Sequence, residues 1–435
     1  MHPMSRRHFL TSACSVGAGL MGHNAFGSTG LNLKIGAILP LGGEGAQITA
    51  AGLHDVAATA QKGLLMGIEE TQKNAELFGH QINLLLSNAP SVASVKRAAR
   101  RLIEYDGVSV LIGGFNAADA AILSDVAQET GTLFLNIAAT ADHLRTHCSL
   151  QTFHIESSAA MYLDAVAGWF VRAGHRKWFI VSQNDTEGHD RFARMQTALA
   201  DRHWGGKIVG HASIDPEGRD FEPALKAIRA SKPDVVLVLT DWISQLRFAA
   251  RYDAEGLSIP ITGFPEAATQ TRDFYSKLVQ AAPRTGAGHR ASLWEPTLDA
   301  YGARELNARF AARWGRPMDS VAWSGFQAMK IAYDATQFSG ATDGKALARH
   351  LAQKTSVFDV HKGIGVSFRQ WDHQMRQSLY LVGLNNHMGT YQDLQSLRQR
   401  AHLVGELPAI YMPGTDPVER LDQLGNLRSN QECKS

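Results

Sequence analysis

Several features that mark other classes of protein are missing from this chain of 435 residues. Beyond the N-terminus, no apolar run approaches the roughly 18 residues that a membrane-spanning helix needs. Lysine and arginine total 43 and aspartate and glutamate total 41, so the formal charge is only +2. There is also no long run of like charge that would favour nucleic acid as a partner. The composition therefore favours a small soluble ligand.

Three common catalytic motifs are missing as well. The sequence contains no G-x-S-x-G elbow, no G-x-x-x-x-G-K-[ST] loop and no H-E-x-x-H helix. Acidic residues and a histidine do cluster after one predicted strand, at Asp185, Glu187, His189 and Asp190. Many folds carry a catalytic acid/base pair in that position, but we interpret this cluster as part of a binding site. We therefore expect no catalytic residues, no enzyme activity and no cofactor.

The 18 histidines raise the question of a metal site. His143 and His147 have i, i+4 spacing, and Cys148 adjoins them. The same segment carries Arg145 and lies in a predicted loop, so we predict that it binds no metal.

The N-terminus has the features of an export signal. Residues 5–10, SRRHFL, have the twin-arginine form, and the weakly apolar run 11–22 contains no acidic residue. We predict that residues 1–27 are a Tat signal peptide cleaved after Gly27, with Ala25 as a comparable alternative. The mature protein should then be soluble and periplasmic. Two cysteines remain in that oxidising compartment, Cys148 and Cys433, and from the spacing alone both free thiols and a disulfide are open.

The clearest local pattern spans residues 108–140. The apolar run 108–112 is short and stops at a glycine pair, which predicts a buried parallel strand. Helical spacing over 117–129, ended by Gly131, is followed by a second apolar run at 133–137. In such a βαβ unit both strand ends emerge on one rim, where open α/β sheets bind ligands.

Strands and helices alternate in two successive sets, the first starting near residue 33 and the second after residue 153. This alternation predicts an α/β protein with mainly parallel sheets in two lobes. Helices are predicted over 298–314 and 324–336, and paired strands over 365–383. From about residue 405 the chain is polar and carries three prolines, Pro408, Pro413 and Pro417, so we predict no core element there.

The order of the segments KIGAILPLGG, KRAARRLIEYDGVSVLIGG, LFLNIAATADHL, RKWFIVSQNDTEGHDRF and KPDVVLVLT resembles the type I periplasmic ligand-binding proteins of the branched-chain amino acid and amide group. The resemblance covers roughly residues 31–400. It implies the periplasmic-binding-protein type I fold, with two Rossmann-like lobes and a hinge of several strands. Lobe 1 would comprise 31–152 and 284–358, lobe 2 would comprise 153–283 and 359–400, and 401–435 would be a C-terminal tail.

The resemblance also implies which lobe 1 residues bind ligand. Asn116 and Ala117 stand where the family carries small hydroxyl residues that hold the ligand carboxylate. Asn116 can still donate and can cap a helix, whereas Ala117 has lost the hydroxyl. Ala138 and Thr140 match the family's second loop, which offers a carbonyl acceptor and a hydroxyl.

Lobe 2 would contribute the opposite wall. Glu187 replaces the family's tyrosine, Asp241 and Trp242 stand where the family often has an aromatic residue, and Glu266 lies near the family's ammonium-binding acid. These departures argue against an ordinary α-amino acid as the ligand.

A narrower resemblance lies in the segments HCSLQTFHIESSAAMYLDAVAGWFV, FRQWDHQMRQSLYLVG and LDQLGNLRSNQECKS. They are similar to the branch of the family that accompanies pyrroloquinoline quinone (PQQ)-dependent alcohol dehydrogenase systems, in which cysteines stand at both the Cys148 and Cys433 positions. This similarity favours a disulfide between Cys148 and Cys433 that ties down the C-terminal tail.

We expect a monomeric solute-binding protein that captures a small polar organic ligand, such as an amino acid, an amide or a compound of alcohol metabolism, for an ABC importer. Its partners would be that ligand and a membrane permease or a sensor, and not nucleic acid. The alternatives are a sensor or accessory protein of a quinoprotein alcohol-oxidation system, and a periplasmic enzyme.

Overall fold

A computed structural model describes residues 30–42, 48–147, 149–202, 205–216, 218–285, 288–363, 365–384, 400–408, 414–427 and 433. The predicted signal peptide, 1–27, and Cys148 lie outside the described residues. Within the described ranges, no helix is both long enough and apolar enough to span a bilayer.

The first sheet has five parallel strands in the order β2-β1-β3-β4-β5. Its strands are β1 Asn32–Leu39, β2 Gln81–Asn88, β3 Val110–Gly113, β4 Leu133–Asn136 and β5 Thr152–His154. Helices α1 Ile48–Leu77, α2 Val92–Glu104, α3 Ala117–Thr130 and the single turn α4 His143–Thr146 connect them. Every residue of β3, β4 and β5 is buried, as expected for strands that are covered by helices on both faces.

Helix α3 begins and ends at the residues that the sequence predicted. The Asn116 side chain accepts a hydrogen bond from the Asp119 backbone nitrogen at 2.8 Å, which caps the first turn. Gly131 ends the helix in the left-handed conformation, with φ of 72°, which a residue without a side chain adopts at little cost. The predicted βαβ unit is confirmed.

The second sheet has four parallel strands in the order β7-β6-β8-β9. Its strands are β6 Lys177–Gln183, β7 Lys207–Ile214, β8 Val235–Leu239 and β9 Ile261–Gly263. Its helices are α5 Ala159–Arg172, α6 Thr186–Thr197, α7 Glu222–Ser231, α8 Trp242–Ala254 and α9 Arg272–Ala281. A π-helical turn, Ala198–Arg202, continues α6, and a 3₁₀ turn, Ala268–Gln270, precedes α9.

A third, antiparallel sheet in the order β10-β11-β12 extends the second sheet. Its strands are β10 His289–Ser292, β11 Leu379–Leu384 and β12 Ala401–Leu407. The Thr262 hydroxyl donates to the His289 carbonyl at 2.7 Å, which joins β9 to β10. The predicted division at residue 284 therefore placed β10 in the wrong lobe. We use "lobe 2" below for the second and third sheets with α5 to α9.

Three further helices return to the first sheet: α10 Ala303–Trp314, α11 Ser320–Ser339 and α12 Gly344–Leu351. Helix α11 packs closely along α1, and a side chain at Gly63 of α1 would collide with the Ala322 backbone of α11. A glycine is therefore required at this crossing of the two helices. We use "lobe 1" for the first sheet with α1 to α4 and α10 to α12.

The C-terminal region contributes a strand and a helix to the fold. Residues 401–435 were predicted to be a tail, ordered or not, with no core element from about residue 405, but β12 pairs with β11, and a further helix, α13 Pro417–Gln423, packs on the protein. The buried Arg369 guanidinium donates to the carbonyls of Leu421 at 2.7 Å and Leu424 at 2.6 Å. These bonds satisfy orphan carbonyls at the end of α13. The prediction of a tail is wrong for these elements.

Candidate functional site

A cavity of about 230 Å³ lies between the carboxyl ends of the strands of the two lobes. Its wall consists of Leu53, Val56, Phe115, Asn116, Ala117, Ala138, Ala139, Thr140, Ala141, Glu187, Arg191, Trp242, Glu266, Ala267 and Ala268. The structure therefore brings the predicted site residues together from both lobes, with the exception of Asp241. We call this space the cleft.

Asp241 does not line the cleft, because its carboxylate caps helix α8. One oxygen accepts from the Ser244 backbone nitrogen and the other from the Ser244 hydroxyl, both at 2.9 Å. The Asp241 backbone nitrogen donates to the Gln183 side-chain oxygen at 3.0 Å. The prediction that Asp241 contacts ligand is corrected on this point: it shapes the loop that carries its neighbour Trp242.

The first lobe 1 loop presents few free side-chain donors. The Asn116 amide oxygen accepts from the Asp119 backbone nitrogen, and its amide nitrogen donates to the Asp119 carboxylate, both at 2.8 Å. Burial raises the pKa of Asp119 to about 6, although the bond from Asn116 opposes that shift. Ala117 contributes only a methyl group. The side-chain amide of Asn116 is thus used mainly to hold the start of α3.

The second lobe 1 loop, which carries Ala138 and Thr140, is held in place by side chains that do not line the cleft. The Asn136 side chain accepts from the Ala139 backbone nitrogen at 3.0 Å and donates to the Ala139 carbonyl at 2.8 Å. The buried Arg145 donates to the carbonyls of Ala139 and Ala141, each at 3.0 Å. In the described part of the chain, the Thr140 hydroxyl has no hydrogen-bond partner, although Thr140 is only 7% exposed. It is the polar side-chain group that this loop offers to a ligand.

The main charged group of the cleft is one that the sequence reasoning missed, Arg191 of α6. Its guanidinium nitrogen donates to Glu187 at 2.6 Å and lies 2.9 Å from a Glu266 carboxylate oxygen. The guanidinium carbon lies 4.0 Å from the centre of the Phe264 ring, which adds a cation–π contact. The i, i+4 spacing of Glu187 and Arg191 was the only signal for this arrangement in the sequence.

The proton affinity of Glu266 is set by this surrounding. Burial raises its pKa to about 7, Arg191 lowers it, and the nearby carboxylates of Glu187 and Asp241 raise it further. The side chain keeps 25% exposure toward the cleft. Glu266 is therefore poised to change its ionisation near neutral pH when a charged ligand arrives.

The two lobes touch at the edge of the cleft. Helix α1 presents Gly52 to the indole of Trp242, and a Cβ atom at Gly52 would lie 2.5 Å from Cε2 and 2.6 Å from Nε1 of that ring. The Lys277 ammonium lies 5.7 Å from the same ring centre. The indole therefore packs directly against the backbone of α1, and this contact across the cleft depends on a glycine at position 52.

Behind the cleft, buried side chains connect the segments that cross between the lobes. Gln374 donates to the carbonyls of His154 at 3.2 Å and Glu156 at 3.0 Å. The Lys362 ammonium donates to the Leu293 carbonyl at 2.7 Å and to Gln377 at 2.8 Å. Gln377 in turn donates to the Ile155 carbonyl at 2.6 Å. The crossings at 155–158, 293–302 and 352–378 are thus fastened to one another.

One of these crossings carries a fully buried acid, Glu156. Its carboxylate accepts from the Tyr162 hydroxyl at 2.6 Å and from the Ser157 backbone nitrogen at 2.8 Å. Burial raises the pKa of Glu156 to about 7, against the effect of these two bonds. Glu156 does not line the cleft, so it belongs to the hinge and not to the ligand wall.

The residues that were considered for metal binding or catalysis have other positions. His143 and His147 are exposed, and the described ranges contain no group of three or more His, Cys, Asp or Glu residues that could hold a metal ion. Asp185 caps α6 by accepting from the Gly188 backbone nitrogen at 2.7 Å. His189 and Asp190 are exposed on the same helix.

Cys433 is disulfide-bonded. It lies beside Leu150 and Gln151 in a surface groove of lobe 1, and its sulfur is 3.8 Å from the Trp371 carbonyl oxygen. Cys148 lies outside the described residues, so its predicted pairing with Cys433 stays a prediction.

The chain was compared with known proteins and solved structures. No curated protein sequence matches it. The structure is similar to a branched-chain amino acid ABC transporter periplasmic ligand-binding protein from Burkholderia xenovorans, with 17% identity over 86% of this chain and 95% of that chain and a TM-score of 0.73. It is also similar to an ABC transporter solute-binding protein from Rhodopseudomonas palustris in complex with 3,4-dihydroxybenzoic acid, with 19% identity, 88% and 99% coverage and a TM-score of 0.69.

A third similar structure is the branched-chain amino acid transporter substrate-binding protein LivJ from Streptococcus pneumoniae in complex with isoleucine, with 18% identity, 86% and 99% coverage and a TM-score of 0.67. At these identities the likeness shows the fold alone. It is the type I fold of two lobes that the sequence resemblance implied. The model of the periplasmic binding protein family matches residues 32–388, most of the sequence, and the chain belongs to that family.

Proposed function

We propose that this protein captures a small polar organic molecule in the cleft and presents it to the permease of an ABC importer. The observation that carries this proposal is the cavity itself, whose wall is shared by lobe 1, with Thr140, and lobe 2, with Glu187, Arg191 and Glu266. A ligand that contacts both walls binds the closed arrangement better than the open one, and therefore shifts the population toward closure. Closure then creates the surface that a membrane partner recognises.

The similar structures support the importer over the alternatives. They are ABC transporter proteins, and the ligands bound in two of them, 3,4-dihydroxybenzoic acid and isoleucine, are small organic molecules. The family consists of solute-binding proteins, which are not enzymes. Three further parts of the proposal rest on the sequence. Twin-arginine export of a periplasmic mature protein follows from residues 5–22, and a monomeric state and a role beside quinoprotein alcohol oxidation follow from the family resemblance.

The test is a ligand screen on the purified mature protein. A ligand at a hundredfold excess over its dissociation constant stabilises the folded state by about 2.7 kcal/mol, which thermal unfolding detects readily. For each hit, small-angle X-ray scattering should show a smaller radius of gyration with ligand than without it, and the ligand should be recovered chemically unchanged. A ligand that is converted during incubation would overturn the proposal in favour of an enzyme.

A second experiment separates import from sensing. Cells that lack the gene for this protein should take up the identified ligand more slowly than the parent. Unchanged uptake, together with an altered transcriptional response to the ligand, would favour a sensor. Replacement of both Arg6 and Arg7 by lysine should leave the precursor in the cytoplasm, and an unchanged periplasmic yield would contradict the proposed route of export.

A further inference from the structure

The side chains that line the cleft offer a ligand more negative than positive charge. On lobe 1, the Asn116 amide is already bonded to Asp119, and Ala117 and Ala138 present methyl groups. The uncommitted polar side chain on that wall is the Thr140 hydroxyl, within the described residues. A ligand carboxylate that approached this wall would find no charged partner.

On lobe 2, the positive charge is already neutralised. Among the described residues that line the cleft, Arg191 is the only cation. It is shared between Glu187 and Glu266, lies over the Phe264 ring and is 8% exposed. Both contacts use the same nitrogen, Nη2, so an anion that approached the rest of the guanidinium would lie beside two carboxylates, and their repulsion would oppose its binding. With both glutamates ionised, the group has one surplus negative charge.

We propose that the ligand is a small organic amine that carries no carboxylate, whose ammonium group donates to Glu187 and Glu266 while its opposite end meets Thr140. This inference rests on the proposed function and specifies its substrate class. Arg191 is a positioning residue: it holds the two carboxylates at one place and leaves them a net charge that attracts a cation and repels an anion. The site thereby rejects carboxylates as well as selecting amines.

The ionisation of Glu266 gives this proposal a pH signature. The charged groups that face Glu266 are Arg191, Glu187 and Asp241, and its pKa is raised to about 7. A bound cation favours the ionised carboxylate, so the affinity for an amine should increase as the pH rises from about 6 to about 8, where an alkylamine with an ordinary pKa of about 10 stays protonated. The affinity for a neutral alcohol of the same shape should not follow this trend.

The experiment uses matched sets of compounds. Each of several small carbon skeletons is supplied as the primary amine, the amino alcohol, the amino acid and the carboxylic acid, and the mature protein is screened by thermal shift and then by calorimetry at about 150 mM salt. We expect the tightest binding from an amine or amino alcohol, by at least about tenfold over the amino acid of the same skeleton. Binding confined to carboxylates would overturn the substrate class and leave the proposed function standing. No binding from any set would overturn the proposed function itself.

Two variants that replace a glutamate by the uncharged glutamine test which residues select the amine. Glu187→Gln and Glu266→Gln should each lower the affinity for the best amine by about tenfold or more, and should raise the affinity for the matching acid because Arg191 is then available. The ratio of the affinity for the amine to the affinity for the acid does not depend on how much of the protein is folded. If the two glutamates have only a structural role, the variants should leave this ratio unchanged, and that result would overturn their assignment to the ammonium site. Asp190→Asn is the control, because it removes one exposed carboxylate from the same helix without touching the cleft.

Discussion

The contact of Gly52 with Trp242 makes Gly52→Ala a direct test of cleft closure. The added methyl carbon would lie 2.5 Å from Cε2 and 2.6 Å from Nε1 of the indole, whereas carbon atoms in contact prefer about 3.5 to 4.0 Å. Either the indole moves by about 1 Å or the lobes stop short of the closed position. Only the closed state carries this conflict, because Gly52 is on lobe 1 and Trp242 is on lobe 2.

The expected effect is a loss of affinity without a loss of stability. Overpacking of this kind costs about 1 to 3 kcal/mol, which corresponds to a dissociation constant about 5-fold to 150-fold higher. We expect no such conflict in an open form, in which the two lobes stand apart. Alanine is also a better helix former than glycine by about 1 kcal/mol, so the melting temperature without ligand should be equal or slightly higher.

Calorimetry with the ligand found by screening measures the affinity, and the radius of gyration from small-angle scattering measures closure of the lobes. Gly67→Ala is the matched control on the same helix: its methyl would lie 2.8 Å from Met329 Cβ inside lobe 1, so it should lower the melting temperature and leave the affinity of the folded protein unchanged. In a Trp242→Ala background, Gly52→Ala should cost no further affinity. If Gly52→Ala binds as tightly as the parent and compacts to the same radius of gyration, the contact is not part of the ligand-bound state.

Three other changes test separate parts of the structure. Thr140→Ala should weaken ligand binding by about 1 to 3 kcal/mol in calorimetry, since it leaves a buried ligand group unpaired, and an unchanged affinity would place the ligand elsewhere. Glu156→Gln tests the hinge. Folding raises the pKa of Glu156 from 4.5 to about 7, so between these pH values the folded parent binds more protons than the unfolded chain. The parent therefore loses stability as the pH rises through this range. Relative to the parent, the variant should therefore gain about 2 to 3 kcal/mol of unfolding free energy between about pH 5 and about pH 8 in urea titrations, and parallel pH curves would contradict this. Denatured, unreduced mature protein should expose no free thiol if Cys148 and Cys433 are paired, whereas two thiols per chain would exclude the bridge.

The elements that the sequence predicted well are those whose signals are local. Residues 108–140 combine short apolar runs with glycines at turns, so strand, helix and strand follow from neighbouring residues alone. Strand β12 gave no such signal, because its exposed middle alternates poorly and residues 385–400 separate it from its partner β11, with no short turn to mark the pairing. Edge strands of this kind depend on pairing more than on their own pattern.

The position of the site could be predicted from the sequence, but the contacts among its side chains could not. Loops at the carboxyl ends of parallel strands converge on one rim, and this rule together with the family resemblance pointed to Thr140 and Glu266, which both lie on the wall of one cavity. Arg191 was missed because its position depends on Glu266 and Phe264, which are remote in sequence. Asp241 was assigned to the ligand from the family resemblance. A residue after a strand can face the rim or cap the next helix, and the sequence does not distinguish these two positions.

The side-chain bonds of Lys362, Gln374 and Gln377 give the hinge a mechanical property. Crossings that are joined in this way resist twisting independently, so we expect the lobes to rotate about essentially one axis. If the lobes move along a single coordinate, one distance across the cleft, measured between two spectroscopic labels, describes how far the lobes are open. We also expect ligand binding to spend little free energy on ordering the hinge, because these hydrogen bonds already join the crossing segments.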